Sequence, residues 1–453
     1  MEGEKMLKQL RTIVAGALVV GLTMMLIVAS GSAGGAPKAK PSPTPTPTTS
    51  PPPTGGFDAA KVWNTTGDDW EPAIAADPRA GSSIVYQATT RYGGAKACSR
   101  CPDPAIIVRR STDAGATWGP DNFICACQGR KAQNDPEIEV ANDGTIYAAW
   151  LNDFNPGVAF AKSSDGGTTW TAPIHVDGKG LNWSDKPIIA ISPSGQDVYI
   201  AFNHSDSYMV ASHDFGASFS APVQTNTDDL YWFAEGGGVA PNGDAYFSES
   251  GEVASHSASG DVQLAVLRST NGGTSWTHTY IDTSKEFPPA CCGSSVDFFA
   301  SQAAMAIDPA GKIMVAYTLN TTAGAPKALY ITTSTDGVTW APRTLVNSQG
   351  DSGFPAITAG SAAGDFRLAW QDDRGGAWNT YYRRTTNGGT SFATEVKLSN
   401  VTTGAPYKLA AGYAFPYGDY FEIDANSAGT NFVIWGEGPD YIGPGGSWFT
   451  RGV

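Results

Sequence analysis

From residue 57 onward, short apolar runs recur in pairs. Seven of them follow an acidic or polar turn: Glu71–Ala76, Glu137–Ala141, Pro187–Ser192, Ala234–Ala240, Ala303–Ile307, Pro355–Ala359 and Tyr420–Asp424. Each leads through a Gly/Asn/Pro turn into a second apolar run, such as Thr145–Trp150, Asp197–Phe202 or Phe366–Trp370. Runs of this length, bounded by turn formers, predict β-strands. Their even return predicts one array of repeats and not a set of unrelated domains.

Between these pairs an octapeptide returns six times: Ser or Thr, then Asp or Asn two residues on, then Gly, then Trp or Phe. Copies begin at Ser111, Ser163, Ser212, Ser269, Ser334 and Thr385, the Ser334 copy being one residue short. Its chemistry is that of a turn. Short Ser and Asp side chains bond nearby backbone, Gly accepts positive φ, and the closing aromatic packs between sheets. The repeat resembles the Asp-box, or bacterial neuraminidase repeat, of sialidases and many other propeller proteins. The resemblance runs from Phe57 to Val453. It implies an all-β propeller in which each octapeptide joins the two outer strands of a blade, away from the binding face.

Seven inner strands against six octapeptides point to one composite blade. After Tyr420 the chain has room for three strands, the last over Ser447–Gly452. The stretch Ala59–Asn64 would supply the fourth, because Ala60–Asp69 matches Pro222–Asp229, which directly follows an octapeptide. Closure from the N-terminal side removes an exposed sheet edge. The expected fold is a seven-bladed propeller, with six blades as the alternative.

The first 56 residues differ in character. In 1–36, Lys5, Lys8 and Arg11 precede the apolar run Ile13–Ala29 and a cleavage point after Ala33, the pattern of a signal peptide or membrane anchor. Residues 37–56 form a Pro/Thr linker that cannot bury a core. The propeller, 57–453, is therefore expected to be secreted or at the cell surface, a monomer meeting the membrane only through its N-terminal segment.

Charge narrows the partners. Against 29 Lys and Arg stand 43 Asp and Glu, a formal net charge of -14, which repels nucleic acid and other polyanions. An extracellular glycan or a surface protein fits better.

In the fold family this repeat points to, ligands bind where the loops entering each inner strand converge. Those loops carry Asp69, Asp135, Asp185, Asp229, Asp351 and Asp419. Such a ring would hold a cationic or hydroxylated ligand, or a divalent cation such as calcium, though the reading requires no cofactor. The alternative is that each Asp caps its own turn. Aromatic side chains beside carboxylates suit sugars, and Tyr231, Trp232, Glu235 and Arg374 fall on the same loops. Glycoside hydrolysis uses two carboxylates flanking the bond, or a Tyr nucleophile in sialidases. Asp69 and Glu235 are the expected catalytic pair, with Tyr231 as a third member; Asp135, Asp185, Asp229, Trp232, Arg374 and Asp419 are the expected substrate contacts. No Arg-Ile-Pro sequence occurs and the seven inner strands lack Arg, so the resemblance implies a sialidase-like glycosidase fold without the arginine clamp for sialic acid. A non-catalytic carbohydrate- or protein-binding propeller is the alternative.

The six cysteines lie on these loops as well. Cys98 and Cys101, with Cys125 and Cys127, are expected to form disulfides stapling two adjacent loops, four thiolates around zinc being the alternative. Cys291 and Cys292 are expected in disulfides too; as chain neighbours their close Cα atoms would strain a bond between them, and pairing of either with another loop is the alternative.

Overall fold

The computed structural model describes residues 55–62, 68–94, 96–153, 157–178, 180–181, 183–253, 261–285, 301–376, 378–399, 420–437 and 446–453. The signal segment, nearly all of the Pro/Thr linker, Cys291, Cys292 and Asp419 lie outside the described residues. Within them the chain folds into seven four-stranded antiparallel sheets, with no helix. These are the seven blades, and the six-bladed alternative is excluded.

The inner strands, in ring order, are Asp68–Ala76, Gln133–Val140, Asp185–Ile191, Leu230–Val239, Ala303–Ile307, Ser352–Ala359 and Phe421–Ala425. They define blades 1 to 7. Blade 7 is composite: its outer strand is Lys61–Val62, paired with Gly446–Gly452 through Lys61↔Phe449 and Val62↔Trp448. A bridge between Phe57 and Gly452 and a hydrogen bond from Asp58 N to the Arg451 carbonyl (2.8 Å) extend the seam.

Apolar side chains alternate along the strands and fill the spaces between blades, giving seven separate clusters, one at each interface. Trp150 packs with Tyr86 and Ile138 between blades 1 and 2. Trp370 packs with Met314 and Ile331 between blades 5 and 6. Phe432 and Phe449 meet Ile74 and Val85 where the ring closes. Each blade is thus held by its neighbours, as expected for repeats that cannot bury a face alone.

The octapeptides lie at one end of the ring, after the third strands. In the first copy the Ser111 hydroxyl donates to Asp113 Oδ1 (2.7 Å) and accepts from Gly115 N (2.8 Å), while Asp113 Oδ1 accepts from Thr117 N (2.9 Å). The same pattern returns at Ser163, Ser212 and, with Asn for Asp, at Ser269 and Thr385. Gly115 has φ +79, and a Cβ there would stand 2.5 Å from Phe449. Glycine is required both by conformation and by space.

At the opposite end, four of the inner strands share a device. Glu71, Asp135, Lys186 and Phe354 all have positive φ, between 46 and 53 degrees, and each precedes a proline. The ladder shifts register there in blades 1, 2, 3 and 6. These are bulges, which turn side chains out of the sheet plane at the ring's mouth.

Candidate functional site

The bulges place polar side chains where they tie one inner strand to the next. Glu71 Oε2 accepts from Asp135 N (3.2 Å) and from the Thr90 hydroxyl (3.0 Å). Glu235 Oε2 accepts from Ala303 N, and Gln302 Oε1 from Phe354 N (2.9 Å). Across the closing seam Glu422 Oε2 accepts from Ile74 N (2.5 Å) and Asp424 Oδ2 from Ala76 N (2.7 Å). The strands surround a central cavity of about 610 Å³ lined from all seven blades.

The cavity is acidic. Among the described residues Glu137, Glu139, Asp185, Glu235, Glu252, Glu422 and Asp424 line it, against a single cation, Lys186. On the inner strands of blades 2 and 7, acids alternate with isoleucine, as Glu137-Ile138-Glu139 and Glu422-Ile423-Asp424. The strand period of two puts both acids of each strand into the lumen. Of the blade 1 strand between them only Ile74 lines the cavity, and Glu137 donates a hydrogen bond across it to Glu422.

Burial raises the proton affinity of most of these groups. Glu235 is pushed up to about 8 by burial, against the opposing hydrogen bonds from Ala303 N and Ser250. Burial likewise raises Glu422 to about 8, offset by the Ile74 amide and reinforced by the charge of Asp424. Glu137 and Glu139 are held well above the usual carboxylate range by burial and by the facing Glu422 and Asp424. Asp135 is raised by burial and by Glu71; Asp185 is raised by burial, with Lys186 and a hydrogen bond from Asp135 opposing.

Aromatic rings form the wall beside Glu235. Trp183 lies nearly parallel to Tyr231 (centroids 6.2 Å, 14°), Tyr231 meets Phe233 (4.8 Å), and His204 Nδ1 lies 2.8 Å from the Trp183 carbonyl. Lys186 Nζ sits over the Phe233 and Tyr420 rings, at 5.7 and 5.0 Å from their centroids. Burial and the Asp185 charge raise the Tyr231 phenol, so it is neutral and serves as a hydrogen-bonding group.

The structure thus brings together Glu235, Tyr231, Asp135 and Asp185 from the expected set and separates the others. Asp69 is fully buried and forms a two-point ion pair with Arg91 (2.6 and 3.0 Å), which also binds Asp121. It does not line the cavity and does not meet Glu235. Trp232 is fully buried too, its indole N–H donating to Asp228 (2.9 Å) and its ring packed on His278, so it offers no face to a ligand. Arg374 is spent on Asp372 and Glu395, over the Tyr381 ring at 3.9 Å. Asp229 is exposed, and Asp351 accepts from Lys327 N (2.9 Å) as a local cap. The bulge turns the inward positions over to residues further along the strand, which is why the entrance aspartates do not form a ring. Glu137, Glu139, Glu422 and Asp424 were missed because strands that bear isoleucine read as core; their acidic alternation was the available signal.

The disulfides differ from the expected staple. Cys98 bonds Cys101 and Cys125 bonds Cys127, with Cα separations of 5.0 and 5.2 Å inside the ordinary range. Each closes its own loop; the two loops meet instead through Gly129 N to the Arg100 carbonyl (3.2 Å) and Arg100 to Gln128 (3.2 Å). Among the described residues no group of three or more His, Cys, Asp or Glu side chains is arranged to hold a metal ion.

Removing Arg91 tests the structural reading of Asp69. Arg91→Ala leaves a carboxylate buried without its cation, which typically costs about 3–5 kcal/mol. The urea midpoint should fall accordingly, and Asp69→Asn in the same background should restore part of the loss. An unchanged midpoint would show that the pair contributes nothing.

No protein-family model matches this chain, and no curated protein matches it in sequence. Solved structures do match in fold. An ulvan lyase from a polysaccharide lyase family is similar at 13% identity, with 86% of this chain and 95% of that one covered and a TM-score of 0.52. A sialidase of Streptococcus pneumoniae is 12% identical over 88% of this chain and 71% of its own, with a TM-score of 0.44. An α-L-arabinofuranosidase of Fusarium graminearum is 11% identical, over 88% and 97%, with a TM-score of 0.47. At these identities the likeness is one of fold. The chain is a seven-bladed β-propeller.

Proposed function

We propose that this protein is a secreted, sialidase-like propeller acting as a glycoside hydrolase on extracellular carbohydrate at the mouth of its central cavity. The observation that carries the reading is Glu235: a carboxyl that keeps its proton at neutral pH, in a cavity large enough for sugar residues, beside the Tyr231 and Phe233 rings. A general acid needs this combination of raised pKa and access. The Ser250 hydroxyl donates to Oε1 (2.9 Å) and Ala303 N to Oε2, and burial holds the pKa up against both. Asp185, moderated by Lys186, is the partner carboxylate, and Tyr231 hydrogen-bonds the substrate hydroxyls. Hydrolysis of this kind needs no cofactor. The similar ulvan lyase is named for a polysaccharide substrate, the same broad class of ligand.

A screen of the purified protein against chromogenic glycosides, sialosides included, with glycan binding measured on the same sample, tests the reading. Turnover is the expected result. Binding without turnover would make the protein a lectin-like module, and silence in both assays would remove the carbohydrate reading.

A further inference from the structure

The cavity combines many carboxyl groups, one ammonium and several aromatic faces. Among the described residues, seven carboxyls against Lys186 leave the lumen short of positive charge, and the proton that Glu137 donates to Glu422 fills part of that deficit. Lys186 shows how an ammonium is received here, its Nζ over the Phe233 and Tyr420 rings with Asp185 as its chain neighbour. Aromatic faces and carboxylates together recognise an alkylammonium through cation–π and ionic attraction. A second sign of a ligand is the Tyr420 hydroxyl. It is buried in the cavity wall and has no hydrogen-bond partner among the described residues, an arrangement that ordinarily costs free energy until a polar group arrives.

We propose that the cavity selects a cationic amino sugar, a glucosamine-type residue with a free amine, over neutral and anionic sugars. The ring's hydroxyls answer Tyr231 and Tyr420, its C–H face lies on the aromatic wall, and its ammonium meets the acids below Lys186. This rests on the carbohydrate reading above and deepens it. It also separates this cavity from that of the similar ulvan lyase, whose bound ligand, -[GlcA(1-4)Rha3S]-, carries a carboxylate and a sulfate. Among the described lining residues an anion of that kind would find only Lys186 to balance its charge.

Calorimetric titration of the full chain with four probes decides the matter: a chitosan tetramer, its fully N-acetylated counterpart, tetragalacturonate and spermidine. The chitosan tetramer should bind at least tenfold more tightly than the N-acetylated one at low ionic strength, and tetragalacturonate should not bind. The double variant Glu139→Gln, Asp424→Asn keeps acceptors for the backbone and should reduce that preference about tenfold while sparing the N-acetylated tetramer. Should the variant fail to fold, added salt replaces it: raising ionic strength should erode the preference in the wild-type protein. Equal affinity for both tetramers, or binding of the N-acetylated tetramer alone, would overturn the amino-sugar proposal and leave the carbohydrate reading standing. Binding of spermidine with neither tetramer bound would overturn both.

Discussion

Glu235→Gln should lower the turnover of the best glycoside by roughly 10²–10⁴-fold, the usual contribution of a general acid, with little change in stability. The two effects separate because of how Glu235 is held. A glutamine carbonyl still accepts from Ala303 N, and its amide donates to the Ser250 hydroxyl once that hydroxyl turns to accept, so the tie between blades 4 and 5 survives. Only the transferable proton is lost. In the wild-type protein kcat/KM should decline above about pH 8, where Glu235 ionises, and the variant's residual rate should lack that limb. Steady-state kinetics from pH 5 to 9 on both proteins, with thermal melts alongside, checks this. A variant of full activity would remove Glu235 from the chemistry, whatever the substrate.

Stability itself should fall as pH rises from about 5 to 8, the reverse of a protein held by ordinary carboxylate ion pairs. Glu235 and Glu422 hold their protons to about 8 in the folded chain, against an ordinary glutamate value of 4.5. Above that lower value the unfolded chain releases protons that the folded chain keeps. Unfolding then gains ground with pH until the folded groups ionise as well. Below about pH 4 the trend turns, because Asp113 and Asp165 of the octapeptides, lowered to about 2 by bonds from Thr117 and Thr169, lose their stabilising charge. The optimum lies between these limits, near pH 4–5. Of the groups facing Glu422 and Glu235, Asp424 and Glu252 reinforce the effect, while Lys186 and the hydrogen bond from Glu137 oppose it. Each tenfold difference in proton affinity between the folded and unfolded chain is worth about 1.4 kcal/mol. Discounted for contact with lumen water, the loss to pH 8 is on the order of a few kcal/mol. A Tm lower by roughly 5 °C at pH 8 than at pH 5 is the expected scale. Glu422→Gln should flatten the curve, since the amide nitrogen has no proton to lose and its carbonyl still accepts from Ile74 N. A Tm that rises over this interval would contradict the buried-acid account.

The ring was legible because each level of the sequence agreed with the others. Turn chemistry marked one end of every blade but the last, and apolar pairs marked the interior. The similarity of Ala60–Asp69 to Pro222–Asp229 disclosed the strand that closes the circle, which the pairing of Lys61 with Phe449 bears out. The site was less legible, for a geometric reason. Entrance position predicts which end a residue occupies but not which way its side chain turns. Asp69 and Trp232 lie near the mouth and turn into the blades, whereas Glu422 lies deeper and turns inward. The recurrent residue–proline step, at Glu71-Pro72, Asp135-Pro136, Lys186-Pro187 and Phe354-Pro355, marked the place where the turning happens. Reading it would have moved attention from the entrance aspartates to the strands beyond.

The composite blade also sets an order of events as the chain is made. Asp58 and Thr450, which meet in the seam, are 392 positions apart. Joining segments so distant costs about 5 kcal/mol in loop-closure entropy, and no part of that seam can form before the strand Gly446–Gly452 has been synthesised. A nascent chain therefore assembles blades 1 to 6 as an open arc, its last sheet edge unprotected. Stopping synthesis short of this strand would leave the arc open, with both sides of the seam unpaired.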